Sequence, residues 1–200
     1  MAGPINNPNS FFGSGTGPGQ GLNRQSAPDP GCTGDHDFVS EQDCLDLLIA
    51  SGCSKKVVAH SHTVRSVVDE YTGDQAVCRG ETTCGALLHD IGRSQSHGLD
   101  HSIIGGDICR DLGLPENIAQ IVERHLGAGQ TADECILLGL PPRNCMPETL
   151  AEQIVAHADN LVKGDQVMHI EERMMKIVDL PRKKRKRTFR LALLMELFRR

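Results

Sequence analysis

The stretch GALLHDIGR, residues 85–93, places an apolar run directly before the adjacent pair His89-Asp90. The run predicts a helix whose end is packed against a core. A carboxylate at such an end is costly to bury unpaired, and a bound divalent cation removes that cost. On its own, the pair is better explained by a helix-terminal aspartate that faces water. Whether the pair belongs to a metal site therefore depends on which other side chains the fold places beside it.

Upstream of this stretch, His60 falls on the apolar face of a predicted helix. Val57, Val64 and Tyr71 share that face at helical spacing, whereas His62 lies on another face. A buried imidazole requires a hydrogen-bond partner or a metal, because its ring nitrogens lose their water. Taken alone, His60 is better explained as a hydrogen-bonded core histidine.

Downstream, Asp159 lies among apolar residues on a predicted helix and shares its face with Val155 and Val162. A lone aspartate in that position again requires a partner. His157 points away from it, by about 200° around an ideal helix, and is interpreted as a packing or surface residue.

Two more histidines face inward by the same criterion. His101 shares a face with Ile104 and Ile108, and His125 shares one with Ile121. They are interpreted either as residues that surround the first site or as ligands of a second one. A set of histidines and aspartates suits Mn, Fe, Co, Ni or Zn, and the spacing does not choose among these metals.

The remaining periodicity indicates an all-α fold. Ser40 and Asp43 have the spacing of a helix-capping box, and an apolar run follows until Gly52. No alternation of apolar and polar residues extends over the length of a strand, and Gly and Pro interrupt the helical pattern. Helices are predicted at about 40–51, 54–71, 81–91, 101–112, 116–126, 131–139, 148–163 and 166–179. The Gly- and Pro-rich segment 127–148 is interpreted as a rim or lid.

Composition divides the chain into three parts. Residues 1–38 are rich in Gly, Pro, Asn and Ser and lack apolar periodicity, which predicts a disordered tail. Residues 39–180 carry the helical pattern and the candidate ligands, and form the predicted domain. Residues 181–200 form a C-terminal extension, in which the basic run PRKKRKR is followed by the apolar run FRLALLMELF.

Charge and cysteine content narrow the class of protein. Residues 1–181 carry 12 basic and 25 acidic side chains, whereas residues 182–200 carry nine basic and one acidic. An acidic body opposes general binding to polyphosphate backbones but is compatible with a carboxylate-lined cation site. The eight cysteines show no CxxC or zinc-finger spacing, and neither a signal segment nor a membrane-spanning apolar run is present. We therefore expect a cytoplasmic protein with reduced thiols.

Taken in order, the motifs resemble the HD superfamily of metal-dependent phosphohydrolases, and most closely its small archaeal-type HDIG proteins. The motifs are HS at 60–61, LLHDIGR at 87–93, HxxxG at 101–105, a helix ending at residue 125, and ADNL at 158–161. The resemblance covers about residues 40–165 and implies a helical bundle around a metal. The ligands that it implies are His60, His89, Asp90 and Asp159. It also places His101 and His125 where binuclear members, including cyclic-dinucleotide phosphodiesterases, hold a second metal.

The activity implied by the resemblance is hydrolysis of a phosphomonoester or phosphodiester, with a nucleotide-like substrate, by metal-activated water. Asp90 would bridge two metals or orient the water, and Arg93 would neutralise charge on the phosphate. Arg93 stands where these proteins usually have Lys, but arginine keeps the charge and binds phosphate bidentately. Because His125 is followed by LGAG rather than by the motifs of the cyclic-dinucleotide enzymes, specificity for those substrates is not expected.

An alternative is a non-catalytic, metal-dependent binding or regulatory module whose basic run contacts RNA or another polyanion. The presence of all four core ligands favours catalysis, and a basic run is usually a solvated surface, so RNA binding is not favoured. The apolar extension predicts docking, either on the domain or on a second copy in a homo-oligomer. The side chains expected to dock are Phe189, Leu193, Leu194 and Leu197.

Overall fold

The structure is a computed structural model that describes residues 39–72, 77–197 and 199. The predicted disordered tail, residues 1–38, lies outside these residues. The helices in the described part are Glu41–Ala50 (α1), Lys55–Thr72 (α2), Arg79–Leu88 (α3), His101–Asp111 (α4), Glu116–Arg124 (α5), Ala132–Leu137 (α6), Leu150–Asn160 (α7), Ile170–Ile177 (α8) and Arg182–Glu196 (α9). A 3₁₀ helix spans Ile91–Ser94, and strands Val162–Lys163 (β1) and Gln166–Val167 (β2) form a hairpin. The predicted all-α class is confirmed.

Side-chain caps set the start of several helices. Ser40 and Asp43 form the predicted capping box of α1, and Thr149 with Glu152 forms that of α7. Each box satisfies backbone N–H groups that lack a partner within the helix. Gly52, at a φ of +91°, follows the end of α1 in a conformation that favours glycine.

Helix α3 is the central element of the bundle. It packs against α1 and α5 on one side and against α2 and α7 on the other, so that it joins two apolar clusters. Gly85 permits the close approach of α5, because a Cβ there would overlap the side chain of Ile121. The C-terminal end of α3, which the His-Asp pair follows, therefore lies in the middle of the molecule.

Gly92 fixes how the chain continues after α3. A Cβ at this position would overlap the carbonyl oxygen of His101 and would lie 2.7 Å from the backbone nitrogen of Gly105. Only glycine allows the 3₁₀ helix to rest directly on the backbone of α4. This contact brings the first residue of α4 next to Asp90.

Two predicted helices end earlier than expected. Helix α3 stops at Leu88, and the predicted helices 148–163 and 166–179 are separated by the β1–β2 hairpin. The hairpin pairs Val162 with Val167 around a two-residue turn. Gly164 occupies the first turn position at a φ of +65°, which glycine adopts without steric cost. The predicted break at residues 164–165 is present, but the helices on either side of it are shorter than predicted because the turn chemistry prevails over helical periodicity.

The C-terminal extension docks on the domain, but through a face other than the predicted one. Helix α9 packs against α7 and α8 and buries Leu191, Ala192 and Met195. The side chains expected to dock remain exposed, at 47% for Phe189, 56% for Leu193, 39% for Leu194 and 78% for Leu197. Their assignment to an intramolecular core is therefore wrong, whereas a subunit interface on this face stays a prediction.

A buried polar chain ties α9 to the rest of the bundle. The Tyr71 hydroxyl donates to Glu196 Oε1 at 3.0 Å, and His157 Nε2 lies 3.2 Å from the Tyr71 oxygen. Since the single Tyr71 proton goes to the carboxylate, we assign the N–H to His157 Nε2. Burial lowers the pKa of His157 to about 4, so its ring is neutral near pH 7. His157 is thus a packing residue, as its position on α7 predicts.

The docked face of α9 should contribute to stability, whereas its exposed face should not. Met195→Ala removes a fully buried side chain and is expected to lower the free energy of unfolding by about 2–5 kcal/mol. Leu193→Ala, on the exposed face, is expected to change it by less than about 0.5 kcal/mol. Denaturant unfolding of the two variants measures the difference, and equal losses would contradict this docking.

Two further expectations concern the cysteines and the membrane. Cysteines 44, 53, 84, 109, 135 and 145 are free thiols. Within the described ranges, no helix combines the length and apolar character needed to cross a bilayer.

Candidate metal centre

The structure brings all six predicted ligands together at the end of α3. One comes from the middle of α2, and the others lie at or beside the ends of α3, α4, α5 and α7. They are His60 on α2, His89 and Asp90 after α3, His101 at the start of α4, His125 after α5, and Asp159 on α7. We call this set the His/Asp cluster.

The carboxylate of Asp90 stands between two groups of histidines. Its Oδ2 faces a first ligand group, at 3.9 Å from His60 Nε2 and 3.7 Å from His89 Nε2. Its Oδ1 faces a second ligand group, at 3.2 Å from His101 Nε2 and 3.7 Å from His125 Nε2. One carboxylate thus presents a separate oxygen atom to each group.

Asp159 completes the first ligand group. Its Oδ1 lies 3.0 Å from His60 Nε2 and 3.6 Å from His89 Nε2. The His60 and Asp159 side chains are 15% and 21% exposed, whereas His89 is fully buried. The first group is therefore open to solvent on the side of α2 and α7.

All four histidines have the same orientation. Their Nδ1 atoms lie 2.6–2.7 Å from backbone carbonyl oxygens, those of Gly164, Ala86, Gly98 and Val122 for residues 60, 89, 101 and 125, respectively. Because a carbonyl oxygen can only accept, we assign the ring proton to Nδ1 in each case. All four Nε2 lone pairs then point into the His/Asp cluster, which is the orientation of metal-bound imidazoles.

The spacing of the donor atoms fits bound cations. Two metal–ligand bonds of about 2.1 Å at ordinary coordination angles separate their donor atoms by about 3.0–3.4 Å. His101 Nε2 and His125 Nε2 are 3.2 Å apart, although neither has a proton to share in the assigned tautomer. His89 Nε2 and Asp90 Oδ1 are buried and have no hydrogen-bond partner among the described residues. Divalent metals would satisfy these atoms.

The surroundings of the cluster keep Asp90 and His125 in metal-binding forms. Burial raises the pKa of Asp90, but its neighbours, among them His89 and the Arg93 guanidinium, lower it further, and the net pKa lies well below its usual range. Burial lowers the pKa of His125 to about 3. An ionised carboxylate and a neutral imidazole are the protonation states that bind a metal.

A cleft of about 530 Å³ leads from the solvent to His60 and Asp159. We call it the metal cleft. Besides these two ligands, its walls carry four cationic side chains, those of Arg93, Lys163, Arg173 and Lys176. Asp159 is the only carboxylate among the described lining residues, so the cleft favours anions.

Arg93 connects the cleft to the cluster. Its Nε donates to Asp90 Oδ2 at 2.6 Å, which leaves the terminal nitrogens of its guanidinium for other acceptors. Arg93 can therefore hold the Asp90 carboxylate and an anion in the cleft at the same time.

Sequence reasoning found every residue of the His/Asp cluster but missed most of the cationic wall. Lys163 precedes the hairpin turn, while Arg173 and Lys176 lie on α8. The Gly164-Asp165 turn between Val162 and Val167 is a hairpin signal that could have placed Lys163 at the mouth. No spacing in the sequence marks the two α8 residues.

Comparison with known proteins gives concordant results. The family model described as HD domain matches residues 57–164. The tRNA (cytidine(56)-2'-O)-methyltransferase of Thermoplasma volcanium is 43% identical over 144 residues, which are 72% of this chain but only 41% of that protein. The uncharacterized protein MJ0778 of Methanocaldococcus jannaschii is 43% identical over 134 residues, 62% of this chain and 77% of that protein.

A solved structure shares the fold. The crystal structure of the L. monocytogenes phosphodiesterase PgpH HD domain matches with a TM-score of 0.50 at 13% identity, and the match covers 77% of this chain and 97% of that one. The chain spans about two fifths of the methyltransferase-named relative, so the match there is to a part of a longer protein. Family model, relatives and fold agree that this chain belongs to the HD domain family.

Proposed function

We propose that the chain is a metal-dependent phosphohydrolase that cleaves a phosphomonoester or phosphodiester bond of a nucleotide-like substrate. The observation that carries the proposal is the Asp90 carboxylate, which lies between two histidine groups beside a cationic cleft. Two carboxylates and four imidazoles leave room for one or two divalent ions of the series Mn, Fe, Co, Ni and Zn. Metals in this position and a phosphate in the cleft would neutralise each other's charge.

The proposed ligands divide between the two groups. In the first, His60, His89, Asp159 and Asp90 Oδ2 would hold one metal, and in the second, His101, His125 and Asp90 Oδ1 would hold another. Divalent ions there supply Lewis-acid activation of water and of the phosphoryl oxygen. Asp90 fixes the two groups relative to each other, because its own position is set by the Arg93 hydrogen bond.

The other proposed roles belong to the cleft. Hydrolysis joins a water oxygen to phosphorus, breaks the bond from phosphorus to the leaving oxygen, and delivers a proton to that oxygen. Arg93 would neutralise the charge that develops on the phosphoryl oxygens. Lys163 also lines the metal cleft, and its ammonium group has no partner among the described residues. This group would orient the phosphate.

A substrate and metal panel tests the proposal. Purified protein is loaded with each of the five metals and assayed for hydrolysis of nucleoside monophosphates, other phosphomonoesters and cyclic phosphodiesters. We expect turnover of at least one class, and chelation should abolish it. A folded, metal-loaded chain that hydrolyses none of them would contradict the proposal.

The second candidate is a metal-dependent module that binds RNA without hydrolysing it. It is favoured by relatives whose names refer to tRNA and by exposed cations on α9, among them Arg182 and Lys186. Binding of tRNA with strong salt dependence, together with no turnover in the panel, would support this candidate instead.

Arg93 provides a sharper test of the proposed chemistry. Arg93→Met is expected to lower kcat/KM by about 100-fold, because loss of one group that stabilises transition-state charge costs about 10²–10³ in rate. Arg93→Lys keeps the charge and should recover part of the loss. Both variants are assayed at saturating metal, so that weaker metal binding by a displaced Asp90 does not contribute to the loss of activity. An Arg93→Met enzyme with unchanged kcat/KM would exclude the role.

A further inference from the structure

A second cleft adjoins the metal cleft, and the mechanism proposed above does not use it. It encloses about 180 Å³ between the 126–130 segment, α8 and α9. Leu99, Leu126 and Leu180 form apolar walls, and Arg173, Lys184 and Arg187 supply cations. Ligand sites for whole small molecules usually enclose about 300–1,000 Å³, so this space suits one group of a larger ligand.

The two clefts share one wall. Leu126, Gly127 and Arg173 line both of them. The two clefts therefore adjoin at Arg173, and a ligand that passes over this side chain could occupy both.

The charges in the second cleft are only partly compensated. Arg187 is paired with Glu134, at 2.8 Å to each carboxylate oxygen. The Lys184 ammonium has no hydrogen-bond or ion-pair partner among the described residues, and the cleft's described lining includes no carboxylate. The basic run of α9 thus contributes one uncompensated cation to the lining of the space.

Arg173 is also a cation with unmet hydrogen-bonding capacity. Its Nη2 donates to Asn160 Oδ1 at 2.5 Å, while its Nε is buried and has no partner among the described residues. Burial lowers the pKa of Arg173, although the Asp159 charge opposes this effect. An anion held between Arg173 and Lys184 would provide the missing countercharge.

We propose that the second cleft binds a further phosphate of the substrate, between Arg173 and Lys184, while the scissile phosphate lies at the His/Asp cluster. The inference rests on the proposed phosphohydrolase function and adds a substrate class to it. The preferred substrate carries at least two phosphates on a nucleoside framework, and its sugar or base contacts the leucine walls. A nucleoside bisphosphate and the 5′-phosphorylated end of an oligonucleotide share this chemistry.

The test compares Lys184→Met with the matched control Lys183→Met. Both variants remove one charge from the same helix and keep an aliphatic stem, but Lys183 is exposed and does not line the cleft. The probes are AMP, adenosine 3′,5′-bisphosphate and the dinucleotide pApA. With metal-loaded protein, kcat and KM are measured for each probe that is hydrolysed, and calorimetric titration gives the dissociation constant of any that is not.

We expect Lys184→Met to raise the KM or dissociation constant of one or both doubly phosphorylated probes by about five- to tenfold, with kcat and the AMP values unchanged. Lys183→Met should match the wild type. Dependence of the bisphosphate on Lys184 identifies a small nucleotide substrate, whereas dependence of pApA alone identifies a strand end.

Two results would overturn the inference. One is wild-type protein that binds neither doubly phosphorylated probe more tightly than AMP, and the other is an equal effect of the two lysine variants. The proposed function has its own, separate outcome. If no probe or panel substrate is hydrolysed, that function fails, yet a Lys184-dependent dissociation constant would still establish the phosphate site.

Discussion

Asp90→Ala is expected to abolish metal binding and hydrolysis while the helical bundle remains folded. The Asp90 carboxylate faces both ligand groups, with a different oxygen for each. Loss of a residue that only orients a metal ligand costs about 10- to 100-fold in metal affinity, so loss of a shared ligand should cost more. The apolar clusters of α2, α7 and α9 do not include Asp90, and the helix content should therefore persist.

Metal analysis after gel filtration and far-UV circular dichroism together measure this outcome. Asp133→Ala is the matched control, because Asp133 is an exposed aspartate on α6, away from the His/Asp cluster. The control should retain the metal content and activity of the wild type. Full metal occupancy in a folded Asp90→Ala protein would remove the central claim made for this site.

Removing the second ligand group should halve the metal content instead of abolishing it. In the double variant His101→Gln, His125→Gln, the first ligand group keeps all four of its residues, so we expect two metals per chain to become one. Activity should fall by at least about 100-fold if both ions act on the phosphate. The comparison variant His89→Ala removes a ligand of the first group.

Loss of a buried imidazole could by itself perturb the bundle, and His157→Gln controls for this effect. His157 is as deeply buried as the ligands, but it contacts Tyr71 rather than the His/Asp cluster. Its variant should lose stability and keep both metals. An unchanged stoichiometry in the double variant would show that His101 and His125 bind no metal.

The sequence was sufficient to predict the members of the His/Asp cluster because each one lies on or beside a regular helix. His60 and Asp159 could be assigned to inward faces from helical spacing alone, although they are 99 positions apart. That they meet could be inferred only from the ordered motifs that resemble the HD superfamily. Periodicity determines which side of a helix is buried, but it carries no information about which helices are neighbours.

Apart from Arg93, the cationic wall could not be predicted from helical periodicity, because tertiary packing brings its members together. The position of Lys163 depends on a hairpin whose strands are only two residues long. The position of Arg173 depends on how α8 follows that hairpin. The turn at Gly164 falls between the predicted helices 148–163 and 166–179, and the hairpin replaces the end of the first and the start of the second. Short strands of this kind have too few residues to produce a recognisable alternation.

The C-terminal extension shows a different limit of sequence reasoning. Its apolar residues surround α9 almost completely, so composition predicts docking without selecting a face. In the structure the choice is made by buried contacts at Leu191 and Met195 and by the Tyr71 hydroxyl, which reaches Glu196. Apolar packing and this polar contact with α2 together select the face of α9 that is buried.

The two ligand groups would also act as cross-links of different reach. A metal in the first group would join His60 to Asp159 and close a loop of 99 residues, whereas one in the second would close only residues 90–125. Loop-closure entropy grows as about (3/2)RT ln n, so the roughly threefold longer loop adds only about 1 kcal/mol. The larger difference is in what each loop encloses. The first cross-link would hold α2 against α7 and enclose α3 to α6, while the second would fasten only the segment that carries its own ligands.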